Sequence, residues 1–203
     1  MAACTINKDA LRVPIIQGVS EQRTMYDIYS STKNDNWRYS LGKSGNRNLI
    51  VIGLNPSTAN KEKSDTTVAK VEQVASSSNF DGFVMLNLYP VRATKYEDLE
   101  EEPNQEAFLT NLQCIKDVVS NEKNPFIWAA WGESILSRKY FVDSVAELFH
   151  RLKNCNATWN HFGSLTRSGH PRHPSRLSYS WDFSRLDLRE YFNFLDSIGR
   201  LRN

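Results

Sequence analysis

Asn48-Leu49-Ile50-Val51-Ile52-Gly53-Leu54-Asn55-Pro56-Ser57-Thr58-Ala59-Asn60 is the stretch from which the fold is read. Leu49 to Leu54 make an unbroken apolar run rich in β-branched residues, the composition of a strand buried on both faces of a parallel sheet. Pro56 has no amide N–H and a fixed φ, so the strand stops there and the chain turns at the sheet's carboxyl edge. In open α/β sheets that edge is where ligands bind. Gly53 lets a ligand or another backbone come close, and Asn55 offers a carboxamide to the resulting crevice. A plain strand-to-loop turn explains most Asn-Pro pairs, so this stretch alone leaves the function open.

The rest of the chain repeats the pattern. Gly82-Phe83-Val84-Met85-Leu86-Asn87 is a second apolar run ending in Asn, and residues 125–132 are a third, ending at Trp131-Gly132. Residues 159–162 form a weaker fourth strand candidate, and the alternation in residues 37–41 fits an edge strand joined to the central one by a turn over 42–46. Between the strands lie helical spacings: Val68, Val71, Val74 and Ala75, then residues 104–119 beyond an acidic face at 97–102, then residues 135–152. Ser64 or Asp65 is placed to cap the first of these helices. A last helical stripe occupies residues 184–202. Residues 1–36 are polar and weakly patterned, an arm or peripheral element before one domain over 37–203. Strands alternating with helices predict an α/β domain around a central, largely parallel, four-stranded sheet.

Composition narrows the classes of function. With 203 residues, 40% of them hydrophobic, the chain can build one substantial core, and a net charge of +2 neither demands nor excludes a polyanion. The absence of a bilayer-length apolar run or a signal-like N-terminus predicts a soluble, cytoplasmic protein that does not enter a membrane. Cys4, Cys114 and Cys155 lie far apart without a Cys-x-x-Cys pair, so they read as structural or incidental thiols rather than a zinc or iron–sulfur site.

A second chemical stretch is Gly169-His170-Pro171-Arg172-His173-Pro174-Ser175-Arg176-Leu177-Ser178. Its two His-Pro pairs stiffen a loop, and Arg167, Arg172 and Arg176 surround it with charge suited to phosphates. A basic surface loop reads the same way. Metal binding is not expected, because no matching His or Cys cluster supplies further ligands and the prolines hinder chelation.

Taken together, Gly53-Leu54-Asn55-Pro56, Met85-Leu86-Asn87, Trp131-Gly132 and His173-Pro174-Ser175-Arg176-Leu177-Ser178 resemble, in order, the motifs of the uracil-DNA glycosylase superfamily. Residues 37–181 are more similar still to a bacterial and phage branch known mainly as a domain of unknown function. Leu54–Ala59, Asp65–Thr67, Asn87-Leu88 with Arg92–Thr94, Trp131-Gly132 and Gly169–Pro174 carry that likeness. The resemblance implies a three-layer α/β/α, uracil-DNA-glycosylase-like fold with the motifs converging on the sheet's carboxyl edge. It also implies a monomer that acts on DNA without metal or cofactor.

The roles implied are specific. Breaking a base–sugar bond leaves positive charge on the sugar and negative charge on the departing base. By similarity, His173 stabilises the base anion, Asn87 reads the edge of an extruded pyrimidine and Asn55 positions the attacking water. A carboxamide orients water but hardly deprotonates it, so Asp65 is the candidate carboxylate, with N-capping as its alternative. Gly53, Pro56, Ser57 and Arg92 belong to the implied substrate site. Trp131, Gly132, Arg172, Ser175, Arg176 and Leu177 belong to the implied DNA contact, Leu177 filling the gap left by the flipped base. Strand-end turning for Asn87, loop packing for Leu177 and core packing for Trp131 are the structural alternatives. Two departures stand out: Ser57 and Thr58 occupy the place where uracil-specific enzymes carry a bulky Tyr, and Arg176 replaces a Pro. The expected activity is therefore excision of a modified or damaged base, for instance a C5-substituted pyrimidine of phage DNA, in repair or antiviral defence. No catalytic Lys is evident for a Schiff base, so no lyase step is expected. A non-catalytic nucleic-acid-binding module and a hydrolase of free nucleotides or nucleosides are the alternatives.

Overall fold

The computed structural model describes residues 25–199. Its strands are β1 (Ile28–Ser31), β2 (Arg38–Lys43), β3 (Asn48–Gly53), β4 (Gly82–Asn87), β5 (Phe126–Ala129), β6 (Thr158–Phe162) and β7 (Phe183–Arg185). The helices are α1 (Thr66–Ser77), α2 (Gln105–Ser120), α3 (Lys139–Arg151) and α4 (Leu188–Ser197). The strands form one mixed sheet of seven, in the order β1-β2-β4-β3-β5-β6-β7.

The apolar runs explain the middle of that sheet. β3 pairs in parallel with β4 on one side and β5 on the other, and β5 pairs in parallel with β6. The two faces alternate as a period of two requires. Leu49 and Val51 join Phe83, Met85 and Trp128 beneath Val68, Val71 and Val74 of α1. Ile50 and Ile52 face the opposite way with Val84, Leu86 and Ile127, under α2, α3 and α4. With both faces covered, the central strands need continuous rather than alternating apolar sequence, and they have it.

The expected count of four strands is corrected to seven, because antiparallel strands flank the parallel ones. β1 and β2 add to the β4 side and β7 pairs with β6. Residues 37–41 do not form the edge either; β2 lies between β1 and β4, and the edge belongs to β1. The segment read as an arm therefore ends inside the body. Tyr26 is fully buried and β1 pairs with β2, while residues 1–24, including Cys4, lie outside the described residues. The helix expected over 135–152 is divided into a 3-10 turn, Glu133–Ser137, and α3, with Arg138 extended between them. Its guanidinium donates to the Leu99 carbonyl and pairs with Glu101, which draws the backbone out of helical geometry. No described helix is long and apolar enough to cross a membrane.

Candidate functional site

The carboxyl ends of β3 and β5, the loop after β4 and the loop before β7 surround one cleft of about 680 Å³. Leu54 and Asn55 come from the end of β3, and Trp131, Gly132 and Glu133 from the end of β5. Thr94, Lys95 and Tyr96 form another wall, and Thr166, His173 and Ser175 the facing one. Lys95, Arg167, Arg172 and Arg176 give the lining a positive excess over Glu97 and Glu133.

His173 is the best-defined polar group of the cleft. It precedes Pro174, takes extended backbone and caps the 3-10 turn Pro174–Arg176. The Ser175 N–H donates to His173 Nδ1 at 3.2 Å, and the Ser175 hydroxyl lies 2.8 Å from the same nitrogen. A nitrogen that accepts from a backbone N–H carries no proton, so hydrogen-bond geometry assigns the neutral ring's proton to Nε2. Burial, with lesser contributions from Arg176 and Lys70, lowers the imidazole pKa to about 4 against a weaker opposing effect of Asp65. The ring is therefore a neutral N–H donor at physiological pH. Lys70 of α1 donates to the Ser175 carbonyl at 2.7 Å and ties the turn to the body. Gly132 supplies the room: it holds φ of +75°, and a Cβ there would stand 3.0 Å from His173 Cβ.

Asn55 also has a defined orientation. Its NH2 donates to the Ala93 carbonyl at 2.9 Å and to the Pro56 carbonyl at 3.2 Å, so Oδ1 is left to accept. Asn87 sits one layer deeper, with no solvent exposure, and both polar atoms of its carboxamide lack a protein partner. A Cβ on Gly53 would meet Asn87 Oδ1 at 2.9 Å and Met85 Cε at 2.6 Å, so the glycine is what makes space for this side chain. An unpaired buried polar group costs about 1–3 kcal/mol, so a stable fold needs a reason to keep one.

Several expected site residues are placed elsewhere. Asp65 is the N-cap of α1; one carboxylate oxygen accepts from Val68 N at 2.9 Å and the other from Ala59 N at 3.2 Å. It is absent from the cleft lining and is assigned to structure. Arg92 is not a ligand contact either. It donates to the Ser57 and Ala59 carbonyls, to the Asp35 carbonyl and carboxylate and to Tyr29 Oη, clasping the loop after β3 to the β1–β2 turn. Pro56, Ser57 and Leu177 lie off the cleft wall, and Leu177 packs against the α1-side core. Arg172 lines the cleft, but its Nε donates to Ser164 O at 2.9 Å and its guanidinium lies 5.3 Å from the centre of the Trp181 ring. Trp131 is 1% exposed and packs in the core at a tilt against Trp159 and Tyr191, with its indole N–H donated to Tyr191 Oη at 3.1 Å. It is a core residue that also forms part of the cleft wall. Among the described residues, no group of three or more His, Cys, Asp or Glu side chains could hold a metal ion.

The structure adds residues that the sequence reading passed over. Glu133, directly after Trp131-Gly132, is one; its position beside a motif was the available signal. Arg38 is another, 1% exposed, donating to the same Ala59 carbonyl at 3.0 Å as Arg92 does at 2.8 Å. Burial and the Arg92 charge lower its pKa to about 10, leaving it a cation at neutral pH. Asp65 on the amide and two guanidiniums on the carbonyl thus immobilise Ala59 and, with it, the loop that begins at Asn55.

These features define an α/β protein with a polar, cationic cleft at the carboxyl edge of its parallel strands. Residues 38–175 match a family described as "Protein of unknown function (DUF1643)", and the chain belongs to that family. No curated protein and no solved structure matches the chain.

Proposed function

We propose that this protein is a monofunctional DNA glycosylase that extrudes a modified or damaged base, hydrolyses its bond to the sugar and leaves an abasic site. The observation that carries this reading is His173: a neutral imidazole whose Nδ1 is occupied by Ser175, leaving Nε2–H as a fixed donor at the cleft. A neutral donor gains most where an anion develops, and a departing base is such an anion. Asn55 Oδ1 accepts from the attacking water and orients it. The carboxamide of Asn87, buried beside Gly53 with both polar atoms unpaired, is the donor and acceptor pair that the likeness assigns to the edge of the base. Lysine and arginine on the walls suit the flanking phosphates. The likeness of these segments to the uracil-DNA glycosylase motifs supports the same assignment, with the protein working as a cytoplasmic monomer.

Purified protein incubated with chelator and with duplex DNA, single-stranded DNA or mononucleotides carrying 5-hydroxymethylcytosine or uracil tests this. Release of free base from a polymer, undiminished by the chelator, is the expected result. Release from mononucleotides alone identifies a nucleotide hydrolase. Tight DNA binding without release identifies a non-catalytic module, which the lack of a free carboxylate at position 55 or 65 would favour.

The likeness to the uracil-DNA glycosylase motifs, read with its departure at Ser57 and Thr58, favours a pyrimidine with a bulky C5 group as the target. Ser57 and Thr58 put no aromatic next to Pro56 and stay off the cleft wall, and the aromatic rings on that wall, Tyr96 and Trp131, come from other segments. Ser57→Tyr supplies the aromatic that the uracil-specific motif carries at this place. Excision of 5-hydroxymethylcytosine or its glucosylated form is expected to fall at least tenfold in this variant, while any uracil release survives. Equal handling of both bases by variant and wild type would remove the open-pocket assignment.

A further inference from the structure

The glycosylase reading leaves one chemical requirement unmet. The water that attacks C1′ must lose a proton, Asn55 cannot take it, and both oxygens of Asp65 are engaged by backbone amides. Two carboxylates line the cleft, Glu97 and Glu133. Glu97 rides on the isolated turn Tyr96–Asp98. Glu133 opens the 3-10 turn Glu133–Ser137 and is anchored from its N-terminal side. It follows Gly132, whose N–H donates to the Pro171 carbonyl at 3.1 Å and whose Cα packs against His173. The chain segment that carries Glu133 is thereby fixed to the loop that carries the anion-stabilising imidazole. The Thr166 and Ser168 side chains hold the Glu133 carboxyl below its ordinary pKa, so the group is ionised at neutral pH. The buried His170 is hydrogen-bonded through Nδ1 to Tyr191 Oη at 2.9 Å, and its Nε2 has no protein partner.

A carboxylate on this wall works against DNA binding. It stands among Lys95, Arg167, Arg172 and Arg176, where it weakens the pull on every phosphate. Binding alone gives no reason to anchor an ionised carboxylate there. A developing sugar cation does, and a carboxylate beside it, although a weaker base for its lowered pKa, can take the proton of the attacking water.

We infer that Glu133 is the general base of this cleft, an inference that rests on the glycosylase reading above. As the C1′–N bond breaks, its electron pair leaves with the base, which His173 Nε2–H stabilises. The water oxygen, oriented by Asn55, forms the new bond to C1′ and gives one proton to the Glu133 carboxylate. That proton passes to solvent, and the base anion takes one from solvent, so the sum is base–sugar plus water giving free base and abasic sugar.

The test uses single-turnover base release from oligonucleotides carrying 5-hydroxymethylcytosine, its glucosylated form or uracil, with wild type, Glu133→Gln and Glu133→Ala. Glu133→Gln keeps the shape and the hydrogen-bonding oxygen, and its release rate is expected to fall about 10²-fold or more. Its DNA affinity should equal or exceed that of wild type, because a negative charge is gone. Azide, a nucleophile with no proton to lose, should accelerate Glu133→Ala and leave an azide adduct at C1′, with no acceleration of wild type. Wild-type rates in Glu133→Gln, parallel loss of binding and release, or a Glu133→Ala enzyme that azide does not rescue would each overturn the inference and leave the glycosylase reading standing. A wild-type protein that releases no base from any of these probes overturns both.

Discussion

His173→Ala is expected to slow base release by about 10²–10³-fold while DNA binding persists, the loss typical of one preorganised donor to a developing anion. The asymmetry between chemistry and binding follows from the geometry. The ring is neutral and its Nδ1 is spent on Ser175, so the ground-state complex gains little from it. A parallel loss of binding and release would make His173 a docking residue. A second readout needs no substrate. The folded-state pKa near 4 lies below the ordinary imidazole value of 6.5, so the unfolded chain binds the proton more readily between those values. The contribution of His173 to stability is therefore complete above about pH 6.5 and lost as pH falls towards 4. Urea unfolding across that window should show a shallower pH slope in His173→Ala than in wild type.

Arg92→Ala is expected to cost about 3 kcal/mol of stability, at the scale of breaking a hydrogen-bonded buried charge. For a chain of this size that corresponds to a fall in Tm on the order of 10 °C. The pair with Asp35 contributes the smaller part, because that carboxylate side chain is 43% exposed and water rehydrates it. The larger part comes from the Ser57 carbonyl and Tyr29 Oη, which lose a cationic partner in a half-buried setting. Ala59 O keeps Arg38 at 3.0 Å, which limits the damage. Arg92→Lys should recover only a fraction, since an ammonium cannot reproduce a fork that spans three segments. Thermal and urea unfolding measure the effect directly. Undiminished stability combined with weakened DNA binding would return Arg92 to the ligand site.

The two arginines and Asp65 show how far the sequence could be read. Leu49–Leu54 and Gly82–Asn87 were legible because a strand buried on both faces must be apolar throughout, and little else has that signature. β1 and β7 were not, since four and three residues with half-exposed side chains show no periodicity. The break at Arg138 depends on carbonyls and a carboxylate some forty positions away, which no local pattern records. At the cleft, His173, Asn55 and Gly132 were found because proline and glycine constrain the backbone around them in a readable way. Residue type told what Asp65 and Arg92 can do, but not that every strong bond they make is spent inside the fold. Glu133 was overlooked for the converse reason: an acidic residue after a motif looks like solvated surface until the walls of the cleft are assembled around it.

The measurement closest to the central claim is the stoichiometry of products. Duplex and single-stranded oligonucleotides carrying 5-hydroxymethylcytosine, with and without glucose, are incubated with the protein in the presence of chelator. Free base is quantified by mass spectrometry and abasic sites by an aldehyde-reactive probe. The expected result is one free base per abasic site, with the strand intact until alkali is added. Intact substrate at every protein concentration, or strand breaks without free base, would contradict the assignment of this cleft to glycosidic bond hydrolysis.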